Sequence, residues 1–256
     1  MLRWLQPKQA LKLAPELPTQ LDIAGRSVPV VLTRRASQRA VRLRASAIAG
    51  RIEISLPARG GEAIGAALLS SHRGWIEAQV ARWPQPIPFA PGAIIPIDGE
   101  PVRIDWQDSH KRTPVLAAGA LRIGGPLPLL AGRIERWLKA RALADLEAST
   151  RQLAAQLDRR VARVSVGDTS SRWGSCAGAL RPEGARIAYS WRLILAPAWV
   201  RRSLVAHEAA HLIHQNHSPA FHALNRQLDP RAAEARRWLA RHGPALHWVG
   251  RSDQAG

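Results

Sequence analysis

The chain has 256 residues, with 37 Lys and Arg against 19 Asp and Glu, a net charge of +18 and a single cysteine. That length suffices for one large domain or two small lobes with buried cores. One cysteine excludes an internal disulfide, and no run of about 18 apolar residues is present to span a membrane.

The start, Met1-Leu2-Arg3-Trp4-Leu5-Gln6-Pro7-Lys8, has no long apolar segment and no small-residue cleavage site, so no secretory signal is expected. A cytoplasmic location is expected on the same grounds. The positive charge is compatible with a nucleic-acid or other polyanionic partner. Only 4 of the 37 basic residues are Lys, an Arg bias of the kind that the codon usage of a GC-rich genome produces without any such partner. No zinc-finger spacing, helix-turn-helix signature or aromatic-rich RNA motif adds support.

Residues 1–27 are Pro-punctuated and aperiodic, and read as a poorly ordered leader. From Val28 to Leu56 short strands are expected. Val41 and Leu43 alternate with Arg42 and Arg44, and Ile52, Ile54 and Leu56 alternate with Glu53 and Ser55, with Ala47-Ile48-Ala49-Gly50 as the turn. The Arg side chains would line one solvated face, the only plausible anion-binding strip. Gly61–Trp83 reads as a helix with Ile64, Leu68, Trp75, Ile76 and Val80 on its apolar side. A Pro-rich connector follows over Pro84–Pro96. Ile95–Ile123 suggests more strands, broken at Asp98-Gly99 and Ala118-Gly119.

Ile134–Leu157 reads as a long helix. Strands are expected over Val161–Val166 and Ile187–Leu195, on either side of the Ser171–Cys176 segment. A helix from Ala198 to Ile213 begins at Ala196-Pro197, since Pro suits a first turn. Arg231–Ala240 is a last helix and residues 243–256 a tail. No internal repeat is visible. The expected class is α+β, with a mainly β lobe plus a helix over residues 28–125, then a helical, zincin-like lobe over 126–242.

The helix from Ala198 carries His207-Glu208-Ala209-Ala210-His211, an HExxH motif. Histidines four apart share one helical face, so both imidazoles can reach one Zn²⁺, and the glutamate can hold a water beside it. A catalytic zinc takes a third protein ligand. His217, ten residues after His207, has the spacing of the HExxHxxGxxH peptidases. His214 stands at that pattern's Gly, so Asn216 is expected to turn the chain in the left-handed conformation. His214 itself sits about 10 Å along the axis from His207, too far to share the ion. His222 and Glu234 remain alternatives for the third ligand. In Ser171–Cys176, Gly174 permits close backbone approach and Trp173 can wall a site. Cys176 reads as a small structural thiol.

The ordered string Arg172-Trp173-Gly174-Ser175-Cys176, Ser190-Trp191-Arg192-Leu193-Ile194, Ala196-Pro197, the HExxH motif, then Asn216-His217-Ser218-Pro219-x-Phe221 resembles the YgjP-like metallopeptidase domain. The Arg-rich strand pair before Leu56-Pro57 and the helix with Trp75-Ile76 are similar to it too, so the resemblance runs from about Val28 to Leu239. It implies a zinc-dependent peptidase akin to SprT-like proteins, with His207, His211 and His217 as zinc ligands and Glu208 as general base. Ala209 departs from the family's bulkier apolar residue, and His222 stands where Trp is common.

The expected activity is hydrolysis of a protein or peptide substrate by a zinc-bound water that Glu208 deprotonates. A strand beside the metal helix, Ile187–Leu195, would align the peptide. Tyr189 and His222 are candidate oxyanion donors. The competing reading is a basic nucleic-acid-binding module with a purely structural zinc, whose fourth ligand would come from His214, His222 or Cys176.

Overall fold

The computed structural model describes residues 17–252 and is α+β, with six α-helices and three small mixed sheets. Residues 1–16 and 253–256 lie outside the described residues, and with them most of the leader and the end of the tail. The chain divides into two compact units at Trp83/Pro84, well before the boundary at 125 that the strand pattern suggested.

In the first unit, β1 (Gln20–Ile23), β2 (Arg26–Arg35), β3 (Arg42–Ser46) and β4 (Arg51–Pro57) form a sheet of order β1-β2-β4-β3. The leader is therefore a strand from Gln20 onward. Ala24 and Gly25 both take positive φ, the two-residue turn that matches strand twist, and Ile23 and Val28 are buried on either side. The expected single helix is two, α1 (Glu62–Ser71) and α2 (Arg73–Val80), broken at His72. Ile52, Ile54, Leu56, Leu69, Ile76 and Val80 are buried in this unit.

The second unit opens with β5 (Ile94–Ile97), β6 (Glu100–Trp106), β7 (Val115–Ala117) and β8 (Ala120–Ile123), in order β5-β6-β8-β7. Asp98-Gly99 and Ala118-Gly119 make the two hairpins with positive φ at both residues. β2 and β4 are parallel, as are β6 and β8, and the outer pairs are antiparallel in both sheets. The two sheets thus repeat one topology, although no repeat is legible in the residues. Backbone pairing constrains strand order, while each strand needs only period-2 alternation, which many sequences satisfy.

α3 (Leu130–Gln156) buries every fourth residue: Leu130, Ile134, Leu138, Ala142, Leu146, Thr150 and Ala154. At about 100° per residue, a four-residue step drifts about 40° round the axis. The stripe therefore winds, and one helix meets successive partners along its length. A third sheet, order β10-β11-β9, is built from β9 (Val161–Gly167), β10 (Gly174–Ala177) and β11 (Ala185–Ser190). The strand expected over Ile187–Leu195 stops at Ser190, and Trp191–Leu195 is a buried 3₁₀ turn.

α4 (Ala198–Ala210), α5 (Pro219–Leu228) and α6 (Ala232–Leu246) complete the unit. Arg201 of α4 is buried and paired with Asp145 of α3 and Asp98 of the β5–β6 turn. The buried guanidinium would be left without its counter-charges if both carboxylates were removed, so these pairs tie α4 to α3 and to the β5–β6 turn.

The expected tail is packed as far as Val249, with Leu246, Trp248 and Val249 buried. Arg192 explains this. Its buried guanidinium forks onto Asp168 at 2.8 and 3.0 Å and donates to the carbonyls of Leu246 and Val249, both at 2.8 Å. Among the described residues no helix is long and apolar enough to cross a membrane.

Candidate metal centre

α4 delivers His207 and Glu208 in its last turn, and His211 caps it with helical φ and ψ. The helix ends at Ala210, three residues earlier than expected, as Leu212 and Ile213 donate to the carbonyls of Ala209 and Ala210 in a tighter turn. Asn216 does not take a left-handed conformation. Among the described non-glycine residues, positive φ occurs at Ala24, Asp98, Ala118 and Asp158. The tightened end of α4 and the start of α5 turn the chain instead. Ser218 caps α5 by accepting from the Phe221 amide at 3.3 Å, and Pro219 follows at its first position.

This return places His217 against α4. One ligand atom each from His207, His211 and His217 falls within 4.8 Å of the others. The Nε2 atoms of His207 and His217 are 3.3 Å apart. Two nitrogens on a tetrahedral zinc, each about 2.0–2.1 Å from it, are separated by about 3.3–3.4 Å. The spacing is that of shared coordination.

His211 Nδ1 lies 3.0 Å from the His214 carbonyl, so Nδ1–H donates there and Nε2 is left for the ion. His214, a rival ligand by sequence, serves through its backbone. Phe221 is fully buried beneath the cluster, its ring 5.0, 4.5 and 4.8 Å from those of His207, His211 and His217. Nothing in the sequence marked it beyond its place in the Asn216–Phe221 string. Burial and the neighbouring histidines push the His207 imidazole down to about 4. Burial also lowers His211, against the hydrogen bond to His214. Neutral imidazole is the form that binds a metal.

Glu208 is 3% exposed, and its Oε2 has no hydrogen-bond partner among the described residues. Burial raises its carboxyl to about 7, with the Arg172 guanidinium pulling the other way. Gly174 of β10 lies directly against it. A Cβ at that position would sit 2.4 Å from Oε1 and 2.9 Å from both Cδ and Cγ. Only glycine lets the strand pass so close to the carboxylate.

Other residues singled out from the sequence go elsewhere. Tyr189 is 1% exposed and its hydroxyl is bonded to Thr150 at 2.9 Å, so it is withdrawn as an oxyanion donor. Trp173 packs on the end of α6, touching Gly243 and lying 5.0 Å from the His247 ring. His222 is exposed, its ring 6.2 Å from that of His217. Glu234 is exposed on α6, bonded to Arg231 at 2.8 Å, and is not part of the cluster. The Cys176 thiol is pushed up to about 11 by burial and by Glu208, which keeps it protonated and unreactive.

The family model of the YgjP-like metallopeptidase domain matches residues 39–242. The chain belongs to this family. No curated protein and no solved structure matches it. In this YgjP-like chain the matched span includes both HExxH histidines, Glu208, His217 and Gly174. Gly174→Ala is expected to displace the Glu208 carboxylate by about 1 Å and to lower peptide hydrolysis about 10²-fold, with zinc content unchanged. A kinetic comparison with elemental analysis of the same samples checks this; wild-type turnover would show that the close approach has no catalytic consequence.

Proposed function

We propose that the protein is a zinc peptidase in which His207, His211 and His217 hold the ion and Glu208 moves the protons. One observation carries this: three imidazoles whose ligand atoms lie within 4.8 Å of one another stand beside a buried carboxylate with an unpartnered oxygen. When bound, zinc supplies Lewis acidity towards the scissile carbonyl and acidifies water. Glu208 accepts a proton from the attacking water as its oxygen bonds to the carbonyl carbon. Glu208 then gives that proton to the amide nitrogen as the C–N bond breaks, leaving a carboxylic acid and an amine.

The strand expected to align substrate, β11, has both edges occupied, by β10 and β9. β10 is one of the two edge strands, with β9 the other, and its Gly174 lies against Glu208. An extended peptide added to β10 by main-chain pairing passes the carboxylate. His222 stays as a donor for the oxyanion. A structural zinc would need a fourth protein ligand. Among the described residues the cluster holds only three, and His214, His222 and Cys176 are not among them.

The purified protein should carry about one zinc per chain and cleave an unstructured protein such as casein. A chelator should abolish cleavage and added zinc restore it. Zinc-replete protein that cleaves no peptide would overturn the peptidase reading and favour a structural ion.

A further inference from the structure

A cavity of about 280 Å³ opens between α3, α4 and the turn that joins α5 to α6. It falls just below the ~300–1,000 Å³ of pockets for drug-sized ligands, so it suits a small molecule. None of His207, Glu208, His211 or His217 lines it. Trp199, Arg202 and Ala206 stand three and four residues apart, so they share one face of α4 and present it to the cavity. His207 lies about 100° round the axis from Ala206, which keeps the cavity apart from the metal centre on the same helix. The floor is apolar, with Val205 and Ala206 both buried and Leu153 of α3 lining it too.

Two opposite charges face this space. Arg202 is exposed and has no hydrogen-bond or ion-pair partner among the described residues. Asp229 follows α5, and its Oδ1 accepts from the Arg231 amide at 2.9 Å. Its Oδ2 is unbonded among the described residues. No nitrogen of Arg202 comes within 4.0 Å of the Asp229 carboxylate, so the two charges line one cavity without meeting. Arg231, the third charged residue at the cavity, is occupied. It forks onto Glu234 at 2.8 and 3.0 Å, and its guanidinium lies 3.7 Å over the Trp199 ring.

A simple anion would meet Arg202 and be repelled by Asp229, and a simple cation the reverse. A small ligand that carries both charges satisfies both residues, and an apolar group on it covers the floor. We infer that this cavity binds a free α-amino acid with a medium-sized apolar side chain. Its carboxylate lies on Arg202, its ammonium on Asp229 and its side chain over Val205 and Ala206. Guanidinium and carboxylate pair through charge-assisted hydrogen bonds, among the strongest available to a protein. The ammonium donates to the open Asp229 oxygen. The site stands whether or not the metal centre cleaves peptides.

The test titrates the full chain with L-leucine by isothermal calorimetry. A dissociation constant of about 1 mM or tighter is expected, a modest affinity for a ligand of this size. L-leucinamide lacks the carboxylate, N-acetyl-L-leucine lacks the ammonium and glycine leaves the floor uncovered. Each should bind at least about tenfold more weakly. Arg202→Gln and Asp229→Asn should each weaken L-leucine at least about tenfold, the loss of one hydrogen-bonded charge. Arg202 is exposed, and Asn keeps the oxygen that accepts from the Arg231 amide, so both variants retain the local fold. Free amino acids also chelate zinc, so chelator-treated and zinc-loaded protein are compared and should bind alike. Four results would each overturn the inference: no binding at about 10 mM L-leucine, wild-type affinity in either variant, equal binding of any of the three analogues, or binding by the zinc-loaded protein alone.

Discussion

Glu208→Gln should keep zinc at about one per chain and lower peptide hydrolysis by about 10²–10⁴-fold, the range typical of losing a general base. Gln has the shape of Glu and cannot take a proton from water. The replacement is well tolerated structurally because the position is buried with an unpartnered oxygen, and a neutral amide is cheaper to bury than a carboxylate. Thermal stability should therefore hold or rise while activity collapses. That opposition separates a catalytic role from a structural one. Turnover within a few-fold of wild type, with zinc retained, would reject Glu208 as the base.

His207→Ala and His211→Ala should each release the metal, and the double variant should hold none by elemental analysis. Both side chains project from the last turn of one helix, so neither can be replaced by a neighbour without unwinding it. Loss of the ion also removes its binding energy from the folded state, about 4 kcal/mol when free zinc stands at 1,000 times its dissociation constant. The melting temperature should then stop responding to added zinc. His214→Ala should retain the metal, because the His214 backbone carbonyl, not its ring, meets His211. Full zinc occupancy in the double variant would disprove the ligand assignment. Loss of zinc in His214→Ala alone would show that its imidazole matters.

How far the residues foretold this arrangement differs from element to element. The hairpins at Asp98-Gly99 and Ala118-Gly119 were legible because two-residue turns with positive φ demand particular residues. The helix of His207 was legible from its apolar period, but not its end at Ala210, since helix ends depend on a few hydrogen bonds that several sequences satisfy. The β11 strand ran on too far in the sequence reading because Trp191-Arg192-Leu193-Ile194-Leu195 is buried on all sides. Such a run has no period to distinguish a strand from a buried 3₁₀ turn.

The sequence by itself pointed to the proposed chemistry of the centre. HExxH on a helix sets two candidate ligands and a carboxylate on one side of it through local geometry alone, four residues making about one turn. It also determined the α+β class and the family. Only the tertiary structure decided the rest. It brought His217 to within 3.3 Å of His207, and it put the His214 carbonyl rather than its ring to use. It retired Tyr189 into the core against Thr150 and pressed Gly174 onto Glu208. The physical reason is range. Periodicity and spacing report contacts within a turn or a strand, whereas these contacts join segments whose approach is set by how whole elements pack.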